Sequence, residues 1–208
     1  TTEKKKKKKT TATRVVPPPP PQLPPTKKKK KASWWDSAPT TEPPPARTPP
    51  SIERARSQLP AFQARESILE AANENRVLLV EAGTGAGKST QVPQLLLLSS
   101  SSSDQDTTSS LRRSKKIVVA QPRRLAAVGV AHRVAEERGE RVGEVVGFAV
   151  RGQVEMDSSR TALLFCTTGV LLNRMRLDAT LRSVDVVVVD EVHERSVDCD
   201  VLLALLRR

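Results

Sequence analysis

Apolar and polar positions change rhythm at Leu59. Before it, lysine and proline blocks carry no helical or strand period; after it, short apolar runs alternate with helical stripes. "AFQARESILEAA" places Phe62, Arg65, Leu69 and Ala72 on one helical face, with Ile68 beside them. "RVLLVEA" (residues 76–82) is a short apolar run, as a buried strand would be, and "PQLLLL" ends a helix. "KIVVAQ" (116–121) predicts a second strand. Pro122 fits the first position of a helix over "PRRLAAVGVAHRVAEERG", where Ala127, Val130, Ala131 and Val134 form the stripe and Gly139 caps the end. "VVGFAVRG" and "ALLFC" predict a third and a fourth strand, "VLLNRM" a short helix, and "VDVVVVDE" a fifth strand, apolar on both faces. Continuous apolar strands alternating with helices predict an α/β fold. Its sheet is mainly parallel, with helices on both faces and ligands at the carboxyl ends of the strands.

Charge separates the chain into two parts. Residues 1–58 hold 15 Lys/Arg and 4 Asp/Glu, whereas residues 59–208 hold 20 and 19, so the net charge of +12 belongs almost wholly to the front. Fourteen of the 16 prolines lie at or before Pro60. Residues 1–57, with Lys4–Lys9, Pro17–Pro21 and Lys27–Lys31, predict a disordered tail that cannot bury enough apolar surface to offset chain entropy. Such a tail suits non-specific nucleic-acid binding, protein partners or a nuclear address. Trp34 and Trp35 are its only large rings, and "SSSSSDQDTTSS" (Ser99–Ser110) reads as a flexible insertion within the second part. Cys166 and Cys199 belong to no metal-spaced cluster, which fits a reducing compartment. No apolar run reaches the length of a membrane span and no signal-peptide core appears. A cytoplasmic or nuclear location and no membrane contact are therefore expected. The chain starts at Thr1 and ends in "VLLALLRR", which reads as a fragment at both ends.

The chemistry sits in two motifs. "AGTGAGKST", from Ala82 to Thr90, matches G-x-x-x-x-G-K-[ST] except that Ala82 stands at the first glycine. In such a loop successive backbone N–H groups from Gly83, Thr84, Gly85, Ala86 and Gly87 point inward at phosphates, and the following helix adds its positive end. Lys88 would reach the β- and γ-phosphates and Ser89 would give its hydroxyl to Mg²⁺. Alanine costs little at position 82 if φ there is negative. The second motif, "VVVVDEVHER", puts Asp190 after four valines to hold Mg²⁺ and Glu191 next to it to orient or deprotonate a water. Alone, a glycine-rich turn and an acidic pair are also what solvated loops contain.

Taken together, "TGAGKSTQVPQ", "AQPRRLAA", "CTTGVLL" and "DEVHERS" occur in an order and at intervals that resemble the first RecA-like lobe of a DEAH/RHA-box (DExH) RNA helicase of superfamily 2. The resemblance covers about residues 58–208, a P-loop NTPase lobe truncated at its C-terminal end. It implies ATP, with other NTPs accepted, and Mg²⁺ as ligands, with Gly85, Gly87, Lys88, Ser89 and Thr90 on phosphate and metal. It implies Asp190 and Glu191 as the metal-binding and catalytic pair, and His193 as a link from the nucleotide site to the rest of the motor. It implies Arg133 stacked on the base, and Arg123, Arg124, Thr167 and Thr168 along the RNA backbone. It departs from the family pattern at Ala82 and at Gly83, where an acidic residue is usual. A second lobe, its arginine finger, a serine-alanine-threonine coupling motif and the strand after the final helix are not in the sequence. The expected function is an ATP-dependent RNA helicase, monomeric, with RNA-stimulated NTPase activity. The alternatives are a non-catalytic RNA- and nucleotide-binding fragment and a DNA-directed NTPase of the same type.

Overall fold

The computed structural model describes residues 46–98 and 115–207. The lysine and proline blocks, Trp34, Trp35 and Ser99–Ser110 lie outside these residues. Five strands make one sheet: β1 (Ile117–Gln121), β2 (Val146–Val150), β3 (Gln153–Glu155), β4 (Leu163–Thr167) and β5 (Val186–Val189), in the spatial order β3-β2-β4-β1-β5. β1 runs parallel to both β4 and β5, and β2 runs parallel to β4. β3 alone is antiparallel; it returns from β2 through the two-residue turn Arg151-Gly152, where Gly152 has φ +82°. The sheet is the mainly parallel α/β layer that the apolar runs predict.

Strand periodicity decides which face each side chain feeds. Along β1, Ile117 and Val119 join Phe148, Leu163 and Phe165 in a core that also holds Ala127, Ala131, Val134 and Ala135 of α5 (Arg124–Arg138). Val118 and Ala120 turn the other way, into a core with Leu164, Cys166, Leu171 and Met175 of α6 (Thr168–Met175) and Leu202 of α7 (Val197–Leu206). A smaller cluster of Ala61, Ile68, Val92 and Leu95 packs α2 (Pro60–Gln63) and α3 (Arg65–Glu74) on α4 (Lys88–Leu98). Among the described residues no helix is long and apolar enough to cross a membrane.

The structure departs from the sequence reading in several places. Residues 76–82 do not form a strand: nothing among the described residues pairs with them, and Val77 and Leu79 are 86% and 77% exposed. A strand needs a ladder partner, and β5 ends the sheet with its four valines only half-buried. The single helix expected from residue 61 breaks at Ala64 into α2 and α3; Ile68 is the buried centre of the stripe and Arg65 is exposed. Pro122 lies outside α5, whose N-cap is Arg123 with an extended backbone. Residues 50–57, read as tail, form α1 (Pro50–Ser57) with Pro50 opening it and Arg56 buried. Proline suits both a low-complexity tract and a first helical turn, so local sequence alone gives either result.

Candidate active site

The phosphate-binding stretch lies between the unpaired segment at 76–82 and the N-terminus of α4, which starts at Lys88. Gly85 and Gly87 have φ of +80° and +86°, conformations that disfavour a side chain. Ala82 and Gly83 are not among the residues with positive φ. At Gly87 a second constraint acts: a Cβ there would stand 3.0 Å from both Leu59 Cδ1 and Gln91 Cγ. Leu59 and the α2 start hold the loop from below, since Ala61 N–H donates to the Ala86 carbonyl at 3.0 Å. No added Cβ at Gly83 or Gly85 meets an atom within 4 Å, so the loop is open there. Lys88 Nζ donates to the loop carbonyls of Ala82 and Gly83. Thr90 Oγ1 donates to the Gly87 carbonyl at 3.4 Å.

The acidic pair stands at the carboxyl end of β5. Register places Gln121, Thr167 and Asp190 level, because Ala120 pairs with both Cys166 and Val189. Asp190 is fixed from two sides. Its Oδ1 accepts the Glu191 backbone N–H at 2.9 Å and its Oδ2 accepts Gln121 Nε2 at 2.6 Å. Glu191 has φ +52°, a costly conformation for a glutamate of the kind found at functional turns. Its carboxylate lies 3.3 Å from His193 Nδ1, and His193 is mostly exposed on the 3₁₀ turn Val192–Glu194. Arg195 closes the motif with a bidentate pair to Asp200 on α7, which holds the Asp200 carboxyl below and the Arg195 guanidinium above their usual ranges.

The oxygen-only donor set of Ser89 and Asp190 suits Mg²⁺, a hard cation that keeps several waters and uses one or two carboxylates with substrate phosphates. Among the described residues no group of three or more His, Cys, Asp or Glu is placed to hold a metal ion.

The other expected contact residues cluster at the same sheet end. Arg123 and Arg124 are exposed at the start of α5, and Arg123 pairs with Glu194 at 3.1 Å. Thr167 stands at the N-cap position of α6 without a side-chain capping bond, while Thr168 is buried and its hydroxyl donates to the Gln121 carbonyl at 3.2 Å. Arg133 lies farther along α5, bonded to Glu136 and Glu137. Gln121, Glu194 and Leu59 escaped the sequence reading. Gln121 and Glu194 stand inside quoted motifs, but nothing in the spacing says that they bond each other's segments. Cys166 is buried in the sheet, its thiol pushed up to about 12 by desolvation, so it offers no nucleophile.

Residues 62–206 match the family model described as DEAD/DEAH box helicase. Among curated relatives, DExH-box ATP-dependent RNA helicase DExH1 of Arabidopsis thaliana is 40% identical over 157 residues, 76% of this chain and 15% of its own length. DExH-box ATP-dependent RNA helicase DExH3 of the same plant is 42% identical over 73% of this chain and 12% of its own. The mouse (Mus musculus) protein DHX57, which carries an ATP-dependent RNA helicase name, is 45% identical over 76% of this chain and 11% of its own. The chain thus spans about a tenth to a seventh of the length of these relatives.

Proposed function

We infer function from one premise: the chain belongs to the DEAD/DEAH box helicase family. We propose that it is the nucleotide-binding lobe of an ATP-dependent RNA helicase, in which ATP binding and hydrolysis drive movement along RNA or separation of a duplex. The observation that carries this reading is the arrangement at one sheet end. Asp190 is pinned by Gln121 and by its own neighbour, level with Thr167, and Arg123, one of the arginines that would meet a nucleic-acid backbone, pairs with Glu194 of the same motif.

In this proposal the loop amides from Gly83 to Gly87 and Lys88 Nζ bind the phosphates. Lys88 exchanges its present carbonyl partners for phosphate oxygens. Mg²⁺, held by Ser89 and Asp190, would neutralise charge on those phosphates. Glu191 orients the attacking water and takes its proton, and His193, within 3.3 Å of the carboxylate, keeps Glu191 aimed. Arg133 stacks on the base, which favours no particular nucleobase, so several NTPs are accepted. Arg123, Arg124, Thr167 and Thr168 contact the RNA backbone, a mode that positions a strand without reading its sequence. Thr168 does so through its backbone, because its hydroxyl is turned inward.

Phosphate release by a longer chain that includes this lobe tests the proposal. RNA should raise the rate and DNA should not, and Lys88→Ala and Glu191→Gln should each lower it at least ~100-fold. An RNA-stimulated rate unchanged by Lys88→Ala would overturn the nucleotide site; equal stimulation by DNA would overturn the choice of RNA.

A further inference from the structure

Behind the phosphate-binding loop lies a buried polar network that none of the sequence motifs announces. Its centre is Glu137, on the last turn of α5 and 2% exposed. Glu137 Oε1 accepts Arg133 Nε at 3.0 Å. Glu137 Oε2 accepts Gln91 Nε2 at 2.9 Å and Gln94 Nε2 at 2.8 Å, both from the first two turns of α4 after Lys88. Arg56 of α1, also buried, lies 3.7 Å from Oε2 and donates Nε to Gln91 Oε1 at 2.9 Å. Gln91 in turn donates to Thr90 Oγ1, which is bonded to the Gly87 carbonyl.

We propose that Glu137 is a positioning residue that sets Arg133 at a fixed place relative to the phosphate loop, so that base contact and phosphate grip form one unit. This rests on Arg133 contacting the base, as proposed above. The argument comes from burial and from the division of labour between the two oxygens. An ordinary i,i+4 pair on a helix surface leaves both partners in water and contributes little. Here the acid is sunk in the protein while Arg133 stays half-exposed. A buried carboxylate is costly unless every lone-pair direction is used, and apolar packing in its place is often at least as stable. Glu137 keeps that cost and uses one oxygen on the phosphate helix and the other on Arg133. The long arginine side chain, which otherwise loses rotamer freedom only when ligand binds, is ordered in advance.

Glutamine at position 137 would offer an acceptor at one end only. The arm released is then the Arg133 Nε side, because Glu136 and water can satisfy a half-exposed guanidinium, whereas water cannot reach Gln91 and Gln94, which are buried. Binding of MgATP and of Mg-tripolyphosphate, which has no base or sugar, separates the two roles. Calorimetric titration of the 208-residue chain is expected to give about tenfold weaker MgATP binding for Glu137→Gln, with tripolyphosphate changed less than about twofold. Arg133→Ala should give the same split, and adding Glu137→Gln to it should cost no further MgATP affinity. If Glu137→Gln does not fold, as judged by its melting transition, Glu137→Asp takes its place: the shorter acid cannot reach both sides, and because Gln91 and Gln94 are buried and Arg133 is half-exposed, Arg133 is again the arm released and the same split is expected. Equal loss of both ligands in the position-137 variant would overturn the proposal, leaving Glu137 a support of the loop. A base-dependent loss in Arg133→Ala but not in the position-137 variant would also overturn it. No base-dependent loss in Arg133→Ala would overturn both this inference and the base contact on which it rests.

Discussion

At the residue scale the phosphate loop ranks its glycines by what each backbone position demands. Ala82 takes the first glycine of the pattern, and its φ is not positive, so the methyl group meets no conformational penalty. Gly87 combines φ +86° with Leu59 and Gln91 at the distance where a Cβ must push something aside. Ala82→Gly is expected to leave MgATP affinity within about twofold, because loop geometry there does not require glycine. Gly87→Val should abolish detectable binding, since a β-branched side chain fits neither the φ nor the space. Nucleotide titration of both variants checks this, and tight binding by Gly87→Val would defeat the cradle argument. The thiols offer a second check. Burial raises the Cys166 thiol to about 12, and Cys199 is also raised, by desolvation first and by Asp200 second. The thiolate is the reactive form, so at pH 8 neither should react with a disulfide reagent until denaturant is added; rapid labelling of native Cys166 would contradict its burial.

At the element scale the informative contrast is between two apolar runs of similar composition. "KIVVAQ" becomes β1, paired on both sides and fully buried, whereas "RVLLV" finds no strand partner among the described residues and is exposed up to the half-buried Val80. Composition marks both as strand material; only hydrogen-bond partners make one a strand. Amide hydrogen exchange of the 208-residue chain should therefore show residues 118–120 protected and residues 77–80 exchanging at least ~1000-fold faster. Comparable protection in both would mean that the second run is paired. The helix ends carry a parallel lesson. Gly139 ends α5 at φ +68°, as the sequence suggests, but a Cβ added there would also run into the Arg47 carbonyl, and Arg47 N–H donates to the Arg138 carbonyl at 2.8 Å. The segment before α1 is thus strapped to the end of α5. Gly139→Ala should lower stability by about 2 kcal/mol or more in denaturant titration, combining left-handed strain with the clash at Arg47. A change below about 0.5 kcal/mol would mean that the strap yields freely.

At the scale of the whole molecule, charge and chemistry are separated along the sequence. Residues 1–45 carry 12 Lys/Arg against 3 Asp/Glu, while the sheet, the loop and the acidic pair all lie beyond them. Removing residues 1–45 should flatten the salt dependence of single-stranded RNA binding and leave MgATP affinity within about twofold. A salt slope that does not change would show that the basic run takes no part in RNA binding. Within the lobe, two bonds join the stretch from the end of β1 to the N-cap of α5 with the acidic motif, from Gln121 to Asp190 and from Arg123 to Glu194. They connect the segment proposed for RNA to the segment proposed for Mg²⁺ without passing through the phosphate loop.

The sequence by itself determined the family, the mainly parallel α/β sheet and the residues of the two main motifs. Those properties are local or periodic: a strand's alternation, a glycine's freedom of φ and a lysine after a glycine-rich turn can be read a few residues at a time. Only the tertiary structure decided that Pro50 opens a helix, that "RVLLV" has no strand partner among the described residues and that Gln121 holds Asp190. It also decided that Glu137, outwardly one more charge on an amphipathic helix, is buried with an oxygen on each of two elements. These depend on which segments meet across 40 to 70 residues of chain. No local pattern encodes such meetings, because they follow from how the sheet and its helices close around one another.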